Sequence, residues 1–271
     1  MQNNKYLIAE TTKEERIMVY KIKNNSKIES LFNNWQETLI WSCQQDVMGH
    51  LYTTSLDDPK SVMALVGDFC FFAGKPDKEL VSFKPKWCQQ DFVIMTPQSK
   101  AWSDLIEGTF GGRATKVQRY AIKKEMDIFD ADKLICIVAS MSAEYELKMI
   151  DEEWFNRCRE MSWCRDWVAQ FDTYEMYEKY GQGVILLKDG QVVSGASSYS
   201  VYKGGIEIEI DTHKDYRRKG LASICGAKLI LECLDRGLYP SWDAQNMGSV
   251  ALAEKLGYHF DHAYDAYEIQ W

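Results

Sequence analysis

The spacing of apolar residues changes several times along the chain, which predicts a mixed α and β fold. Over residues 1–45 apolar positions recur every three or four residues, the spacing of one helix face. Thr12 stands as a helix cap before Val19 and Ile22. After His50, short apolar runs bounded by turn residues indicate strands. The strands predicted in this part are residues 61–66, 69–73, 91–95 and 115–122.

The middle of the chain suggests a division into two domains. A short amphipathic helix around Trp102 is predicted to end at Gly108, and the apolar run 134–138 is predicted to be a strand. We place a boundary at Ala143, shortly before an acidic helix start. The result is an N-terminal mixed α+β domain, residues 1–142, and a second domain, residues 143–271, which suits the usual ~100–200 residues per domain.

The second domain is predicted to begin with helices and continue with strands. Residues 154–180 have helical spacing and are rich in Trp. The turn at Asp189-Gly190, between the apolar runs 183–187 and 191–199, indicates a β-hairpin. Strict alternation over residues 205–211 predicts a third strand. It has Ile206, Ile208 and Ile210 on one face and Glu207, Glu209 and Asp211 on the other.

Composition and charge narrow the class of partner. The 271 residues carry 32 Lys and Arg against 40 Asp and Glu, which gives a net charge of −8 and a pI near 5.2. Binding to a nucleic-acid backbone needs an electropositive surface that releases counterions. We therefore expect no nucleic-acid partner, and small cationic partners suit the chain better.

Cysteines, histidines and the N-terminal residues argue for a soluble, cytoplasmic protein. The eight cysteines contain no CxxC pair and read as free thiols, and the four histidines do not stand at zinc-ligand spacing. We predict no bound metal. The first residues lack the apolar core of a signal peptide, and no apolar run approaches the ~20 residues of a membrane span.

One segment has the pattern of an anion site. The predicted strand 205–211 is followed by a basic loop containing Gly220 and then by a helix with apolar residues at three- and four-residue spacing. A helix N-terminus presents backbone N–H groups and a positive dipole end to an anion. The loop is neither a Walker A motif nor a GxGxxG fingerprint. The alternative is a basic surface turn before an ordinary helix.

Two motifs in this region resemble those of the GNAT superfamily of N-acetyltransferases. They are Arg217-x-x-Gly220-x-Ala222 and Asn246-x-x-Ser249-x-x-Leu252-x-x-Lys255-Leu256-Gly257-Tyr258. Within the superfamily the chain resembles the two-part bacterial group related to zwittermicin A resistance acetyltransferases. The resemblance implies a GNAT fold over residues 143–271, with a splayed mixed sheet flanked by helices. The N-terminal domain would be a degenerate GNAT-like half or one side of the acceptor site.

The same resemblance implies acetyl-CoA as co-substrate and assigns residues to it. The backbone of the strand end would pair with the pantetheine arm, and the basic loop would hold the pyrophosphate. Two residues of the second motif would face the cofactor, or would simply cap and start a helix. In chain order the implied residues are Ile210, Asp211, Thr212, Arg217, Arg218, Lys219, Gly220, Leu221, Ala222, Ser223, Asn246 and Ser249.

The implied reaction is direct transfer of an acetyl group to the amine of a small metabolite or antibiotic. A base must remove the ammonium proton, and Glu207 and Glu209 are the candidates, with a solvated charged strand face as the alternative. The chain departs from the family at Ala253, where many members carry a tyrosine that protonates the leaving thiolate. Tyr258, Ser249 or water could take that place, so the general acid is unassigned.

Two other classes of function stay open from the sequence. One is an aminoacyl-tRNA-dependent transferase on a tandem GNAT-like fold, against which the net charge of −8 argues. The other is a noncatalytic CoA-binding or interaction module, which Ala253 allows. The sequence assigns neither the acceptor amine nor the oligomeric state.

Overall fold

A computed structural model describes residues 9–10 and 18–271, and the chain divides into two packing units. Unit 1 comprises residues 1–118 and 265–271, and unit 2 comprises residues 119–264. Residues 119–142 therefore pack with the C-terminal part of the chain, upstream of the domain boundary expected at 142/143. That boundary stays a prediction, because packing alone does not show which fragment folds independently. No helix of the described ranges is both long and apolar enough to cross a membrane.

Unit 1 contains the first six strands of a nine-stranded sheet, and these six follow one another in chain order. The sheet is antiparallel from its second to its fifth strand, and the sixth strand is added parallel to the fifth. These six strands are β1 (Ala9–Glu10), β2 (Val19–Ile22), β3 (His50–Thr53), β4 (Ser61–Val66), β5 (Phe69–Gly74) and β6 (Phe92–Pro97). Its helices are α1 (Ser26–Phe32), α2 (Thr38–Gln44), α3 (Lys78–Ser82) and α4 (Lys100–Phe110).

The start of the described chain differs from the helix expected there. Val19 and Ile22 lie in strand β2, which pairs with β3, and Thr12 lies outside the described residues. The expectation was wrong because a pairing between distant segments leaves no trace in local spacing. Asn25 caps α1, since its side-chain oxygen accepts hydrogen bonds from the N–H groups of Lys27 and Ile28.

The core of unit 1 joins α4 to the sheet. Trp102 and Ile106 of α4 are fully buried against apolar side chains of β4, β5 and β6. The helix continues past Gly108, its expected end, and stops before Gly111 at a φ of 55°. The last part of the long strand β14 (Phe260–Gln270) pairs antiparallel with β6, and it adds fully buried Tyr267 and Ile269 to this core.

Unit 2 contains a five-stranded sheet in the order β8-β9-β10-β11-β12. Its pairs are antiparallel except the last, which is parallel. The strands of this sheet are β8 (Glu146–Met149), β9 (Gly183–Lys188), β10 (Gln191–Tyr202), β11 (Gly205–Thr212) and β12 (Tyr239–Ser241). Two further strands, β7 (Ala114–Ile122) and β13 (Asp243–Ala244), pair with each other in the nine-stranded sheet. The helices are α5 (Ala131–Ala139), α6 (Glu152–Glu160), α7 (Tyr174–Tyr180), α8 (Leu221–Asp235) and α9 (Met247–Leu256).

The strand expected over residues 134–138 is helix α5, so that prediction was wrong. Asp130 begins the helix by accepting a hydrogen bond of 3.0 Å from the N–H of Lys133. Leu134 is fully buried, whereas Ile135 is 53% exposed, which is the pattern of an amphipathic helix lying on a surface. The apolar run was taken for a strand because a short continuous apolar run fits a buried strand and a buried helix segment equally well.

The hairpin and the alternating strand predicted for unit 2 are confirmed. β9 and β10 are joined by the turn at Asp189-Gly190 and pair antiparallel, and β11 follows them. On one face of the sheet, Ile210 lies close to Gly226 of α8, where an added Cβ would come within 3.2 Å of it. On the other face, Trp167 leaves room only for glycine at position 195, since a Cβ would lie 2.5 Å from its ring.

Candidate active site

An opening lies between β11 and β12. Their parallel ladder covers only residues 205–207 of β11, and its last pair is Glu207 with Ser241. After Ser241 the chain turns to form β13, which pairs with β7 at Ala121 and Tyr120 instead. Among the described residues no strand therefore continues the ladder beside residues 210–212. The splayed sheet expected from the sequence is confirmed, and its edge can pair with an extended ligand.

A buried ion pair holds β13 on β7 and so keeps the opening in place. The Arg119 guanidinium donates to Asp243 Oδ1 at 2.7 Å through Nε, and the Tyr264 hydroxyl donates to Oδ2 at 2.7 Å. The side chains of Arg119 and Asp243 are 10% and 7% exposed. Burial alone would lower the pKa of Arg119, but attraction by Asp243 and Tyr264 raises it above its ordinary value. The Arg119 guanidinium is thus charged at every physiological pH.

The three carboxylates of β11 share one face, as predicted. Glu207 is 4% exposed, whereas Glu209 and Asp211 are half-buried. Burial raises the pKa of Asp211 to about 6, with Arg217 lowering it and Asp166 raising it by smaller amounts. The residues opposite them on β10 are small: Ser200, Ser197 and Gly195. Over Gly195 this face is covered by the Trp167 ring, and Ser197 contacts the Tyr177 hydroxyl at 2.8 Å.

Glu207 lies in a row of buried polar side chains at the point where the strands separate. Its neighbours in the sheet are Ser200 on β10 and Ser241 on β12. Both serines are fully buried, and within the described part of the chain their hydroxyl groups have no hydrogen-bond partner. Buried hydroxyl groups normally bind something, so this row can hold water or a polar group of a ligand.

The loop that follows β11 is tightly formed and basic. The Arg217 Nε–H donates to the carbonyl oxygen of Thr212 at 3.2 Å, which ties the loop to the strand end. Arg218 has a φ of 62° and Gly220 a φ of 81°. The left-handed conformation is unfavourable for arginine and needs support from its surroundings. The side chains of Arg217, Arg218 and Lys219 are exposed.

The N-terminus of α8 is open toward this loop. Gly220 is the N-cap residue, and no side chain caps the helix. A Cβ built at Gly220 would meet no heavy atom within 4 Å, so space lies in front of the first turn. An uncapped helix of 15 residues directs its free N–H groups and positive dipole end into that space. The geometry fits the pyrophosphate of a nucleotide-like ligand.

A cavity of about 660 Å³ adjoins the same helix turn. It is lined by residues of α5, of the loop 140–145, of the first turn of α8 and of α9. Sequence reasoning missed this cavity because it took α5 for a strand. Asp130 was the residue in the sequence that could have indicated a helix here. Aspartate is a typical N-cap, and its side chain accepts a hydrogen bond from the N–H three residues later, that of Lys133.

The residues of the second motif have structural contacts of their own. Asn246 caps α9, its side-chain oxygen accepting from the Ser249 N–H at 3.0 Å, and Ser249 Oγ accepts from the Trp242 indole N–H at 3.1 Å. Ala253 is fully buried. The Tyr258 hydroxyl donates to the carbonyl oxygen of Pro240, and burial raises the pKa of Tyr258 well above its ordinary value. Tyr258 is therefore poorly suited to protonate a leaving group.

Comparisons with known proteins agree with this geometry. A family model described as GNAT acetyltransferase matches residues 29–267. The uncharacterized N-acetyltransferase YdfB of Bacillus subtilis (strain 168) is 23% identical over 263 residues, which cover 90% of this chain and 95% of that protein.

Solved structures give the same result. A GCN5-related N-acetyltransferase-like protein from Streptococcus suis 89/1591 is 45% identical, with a TM-score of 0.84 over 89% of this chain and 96% of that one. A tandem GNAT protein from the clavulanic acid biosynthesis pathway shares the fold, at 10% identity and a TM-score of 0.52 over 93% of this chain and 98% of that one. Since the family model matches most of its length, this chain belongs to the GNAT acetyltransferase family.

Proposed function

We propose that this protein transfers an acetyl group from acetyl-CoA to the amine of a small molecule. The observation that carries the proposal is the early end of the β11–β12 ladder at Glu207, beside the uncapped N-terminus of α8. A strand edge without a neighbour suits an extended amide-bearing arm, and an uncapped helix suits a pyrophosphate. CoA carries both groups in one molecule, and its thioester would supply the activated acetyl group.

Three parts of unit 2 would hold the donor. The backbone of Ile210, Asp211 and Thr212 would pair with the pantetheine arm. The N–H groups of residues 218–223 would bind the pyrophosphate, with Arg217 keeping the loop against Thr212. Asn246 and Ser249 would face the donor from the start of α9, and Asn246 caps that helix at the same time.

A carboxylate of β11 would take the proton from the acceptor ammonium. Glu207 stands at the last paired position, in a row of buried polar side chains, and Glu209 stands two residues further along the same face. Either can act directly or through one water. Alanine at position 253 offers no hydroxyl group to the departing thiolate, so the chain has no side-chain acid at that place.

The test is a pair of glutamine variants assayed by thiol release over a panel of amines. Glu207→Gln or Glu209→Gln keeps the shape of the side chain and removes its basicity. At the true base, kcat should fall by about 10²–10⁴-fold at neutral pH while acetyl-CoA binding stays intact. Glu178→Gln, on an exposed position of α7, is the matched control and should keep full activity. Normal kcat in both β11 variants would place the base elsewhere.

Two further outcomes separate the other classes of function. Tight acetyl-CoA binding without turnover over a broad amine panel would favour a noncatalytic CoA-binding module, which Ala253 keeps open. If calorimetry detects no binding of acetyl-CoA or CoA, the result favours an aminoacyl-tRNA-dependent transferase. That class of enzyme does not need the opening beside α8. Turnover with at least one amine supports the transferase.

A further inference from the structure

Two buried serines flank Glu207 where the β11–β12 ladder ends, and one of them borders the opening. Ser241 is the last paired residue of β12, whereas Ser200 lies on β10, on the side of Glu207 away from β12. Both side chains are fully buried, and within the part of the chain that the structure describes neither hydroxyl group has a hydrogen-bond partner. Since the chain leaves β11 directly after Ser241, this residue is the one of the two at the opening.

The Ser241 hydroxyl group is unfavourable for the stability of the protein as long as it has no partner. Moving a hydroxyl group out of water costs free energy unless a new hydrogen bond replaces those made to water. Alanine at position 241 would fill nearly the same space without that cost. A contact that forms only when a ligand is bound explains why the hydroxyl group is there.

The opening also determines where the reactive end of an extended donor would stop. With its pyrophosphate at residues 218–223, the donor would lay its arm along the edge of β11 from Thr212 toward Glu207. Strand β12 already occupies that edge over residues 205–207. The thioester at the end of the arm would therefore lie beside the last pair of the ladder, Glu207 with Ser241.

The side chains that the sequence suggested as donors to the leaving sulfur are engaged elsewhere. Ala253 has no hydroxyl group. The Tyr258 hydroxyl donates to a backbone carbonyl oxygen, and Ser249 Oγ is bound by the Trp242 indole N–H at 3.1 Å. The Ser241 hydroxyl has no such contact within the described residues.

We propose that the Ser241 hydroxyl donates a hydrogen bond to the sulfur of the donor thioester, in place of the tyrosine that Ala253 replaces. The proposal rests on the proposed function, since it needs acetyl-CoA in the opening. As the amine nitrogen bonds to the acetyl carbon, the carbon–sulfur bond breaks and its electron pair stays on sulfur. A donor aimed at this position stabilises the negative charge as it develops.

The protons of this step follow a complete path. The ammonium loses one proton to a β11 carboxylate before it attacks, and a second proton to water after the carbon–nitrogen bond has formed. A serine hydroxyl is a much weaker acid than a thiol, so Ser241 keeps its proton and acts by hydrogen bonding alone. Water then protonates the sulfur, and the carboxylate returns its proton to water. The products are the amide, CoA and one proton.

The first experiment measures the contact without turnover, by isothermal titration calorimetry of the full chain with CoA and with desulfo-CoA, which lacks the thiol group. At pH 9 more than half of the CoA is thiolate, because an ordinary thiol has a pKa of about 8.5. The unmodified protein should bind CoA at least about 10-fold more tightly than desulfo-CoA, since hydrogen bonds to charged groups are strong. Ser241→Ala should remove this preference, and Ser241→Thr, which keeps a hydroxyl group, should retain most of it.

Thr96→Val is the matched control. The Thr96 hydroxyl is also buried without a partner among the described residues, and it lies on β6, which pairs parallel with β5 in unit 1. Valine keeps the shape of the side chain and removes the hydroxyl group. The variant should keep the preference for CoA. Its loss in Thr96→Val would show that removing any buried hydroxyl group produces the effect, which would contradict a specific role of Ser241.

The second experiment measures thiol release with an amine that the unmodified protein acetylates. Ser241→Ala should lower kcat at least about 10-fold and change the KM for acetyl-CoA less than about 2-fold, because the hydrogen bond strengthens only as charge develops on sulfur. Ser241→Thr should recover most of kcat, and Thr96→Val should keep it. A normal kcat in Ser241→Ala, or a loss confined to KM, would contradict the assignment.

The titration also separates this proposal from the proposed function. Equal affinity of the unmodified protein for CoA and desulfo-CoA would overturn the role of Ser241 and leave the transferase intact. Absence of binding to both compounds would end both proposals. Urea denaturation gives a further check, because Ser241→Ala should be at least as stable as the unmodified protein. A lower stability would mean that the hydroxyl group has a structural partner and would count against its role toward sulfur.

Discussion

Strand β5 of unit 1 and strand β11 of unit 2 hold the same place in their sheets but end differently. Each is antiparallel to the strand before it and parallel to the strand after it. β5 pairs with β6 over residues 69–72, and the Gln98 N–H continues the contact by donating to Phe72 O at 3.0 Å. β11 pairs with β12 over three residues and then parts from it. The same topology is closed in one unit and open in the other.

Side chains of unit 1 occupy the positions where a ligand would bind. The Gly74 N–H donates to Gln98 Oε1 at 3.0 Å, and the Gly74 carbonyl oxygen accepts from the Trp102 indole at 2.9 Å. Helix α3 has five residues, and the Asp77 carboxylate already caps it, accepting from the Glu79 N–H at 2.9 Å. The comparison teaches that strand order alone does not leave room for a ligand. In unit 2 the ladder ends early and the helix that follows β11 is uncapped.

Strands β5 and β11 also differ in the charge of their side chains. All six residues of β5 are apolar or glycine, and four of them are fully or almost fully buried. β11 carries three carboxylates on one face, of which Asp211 is half-buried with a raised pKa. A strand that only fills a core has no use for such groups. We therefore expect the strand of unit 2 alone to respond to pH.

The largest effect, on the free energy of unfolding, should come from removing the Trp102 side chain, whose indole binds the end of β5 at Gly74. Trp102 is fully buried, so Trp102→Ala should lower the free energy of unfolding by about 3–5 kcal/mol, measured by urea denaturation. Trp102→Phe keeps most of the volume and should cost less. The affinity for CoA should not change in either variant. A loss of CoA affinity in a folded Trp102 variant would contradict the assignment of cofactor binding to unit 2.

A smaller effect with a definite pH dependence should come from Asp211→Asn. Burial raises the pKa of Asp211 to about 6, so at pH 7 the folded state pays for holding its charge. Asparagine removes that cost, and the variant should be more stable at pH 7 by about 1–3 kcal/mol.

The gain from Asp211→Asn should shrink as the pH falls through 6 and vanish below about 4, where the folded and unfolded chains both carry the proton. Thermal unfolding at pH 7 and pH 4 checks this. Asp215→Asn, at a side chain 69% exposed, is the control and should change little. Equal gains for Asp211→Asn at both pH values would mean that charge is not the cause.

The smallest effect is expected at Gly220. Gly220→Asp puts a negative charge in front of α8, and CoA affinity should drop by at least about 10-fold, or about 1.4 kcal/mol, in calorimetry. Gly190→Asp is the matched control, because Gly190 also has a positive φ and open space around its Cβ but lies in the β9–β10 turn. An equal loss in both variants would point to backbone strain and not to the anion site.

The sequence allowed a good prediction of those parts of unit 2 that depend on neighbouring residues. Alternation of isoleucine and carboxylate residues defines β11, and Asn246 marks the start of α9 by a contact within three residues. The opening itself depends on Asp243, which is paired with Arg119 across 124 positions of the chain. No local sequence pattern indicates that pairing. The splayed sheet was therefore predicted only from the resemblance to GNAT proteins.

Two segments were predicted with the wrong structure for a common physical reason. Residues 19–22 form a strand because β3 pairs with them, and residues 134–138 form a helix that buries Leu134 and leaves Ile135 exposed. Short apolar runs fit both structures, and tertiary partners decide between them. The cavity beside α8 was missed for the same reason, since α5 contributes to its lining as a helix.

The contribution of β14 to unit 1 has a consequence for the order in which the chain folds during synthesis. Tyr267 and Ile269 complete the core of unit 1 and pair with β6, yet the ribosome makes them after all of unit 2. Nascent domains usually fold in the order in which they emerge. Here unit 2 can complete its folding before unit 1. Until β14 is made, the edge of β6 that pairs with it stays uncovered. During that interval the nascent chain exposes a strand edge that other chains can pair with.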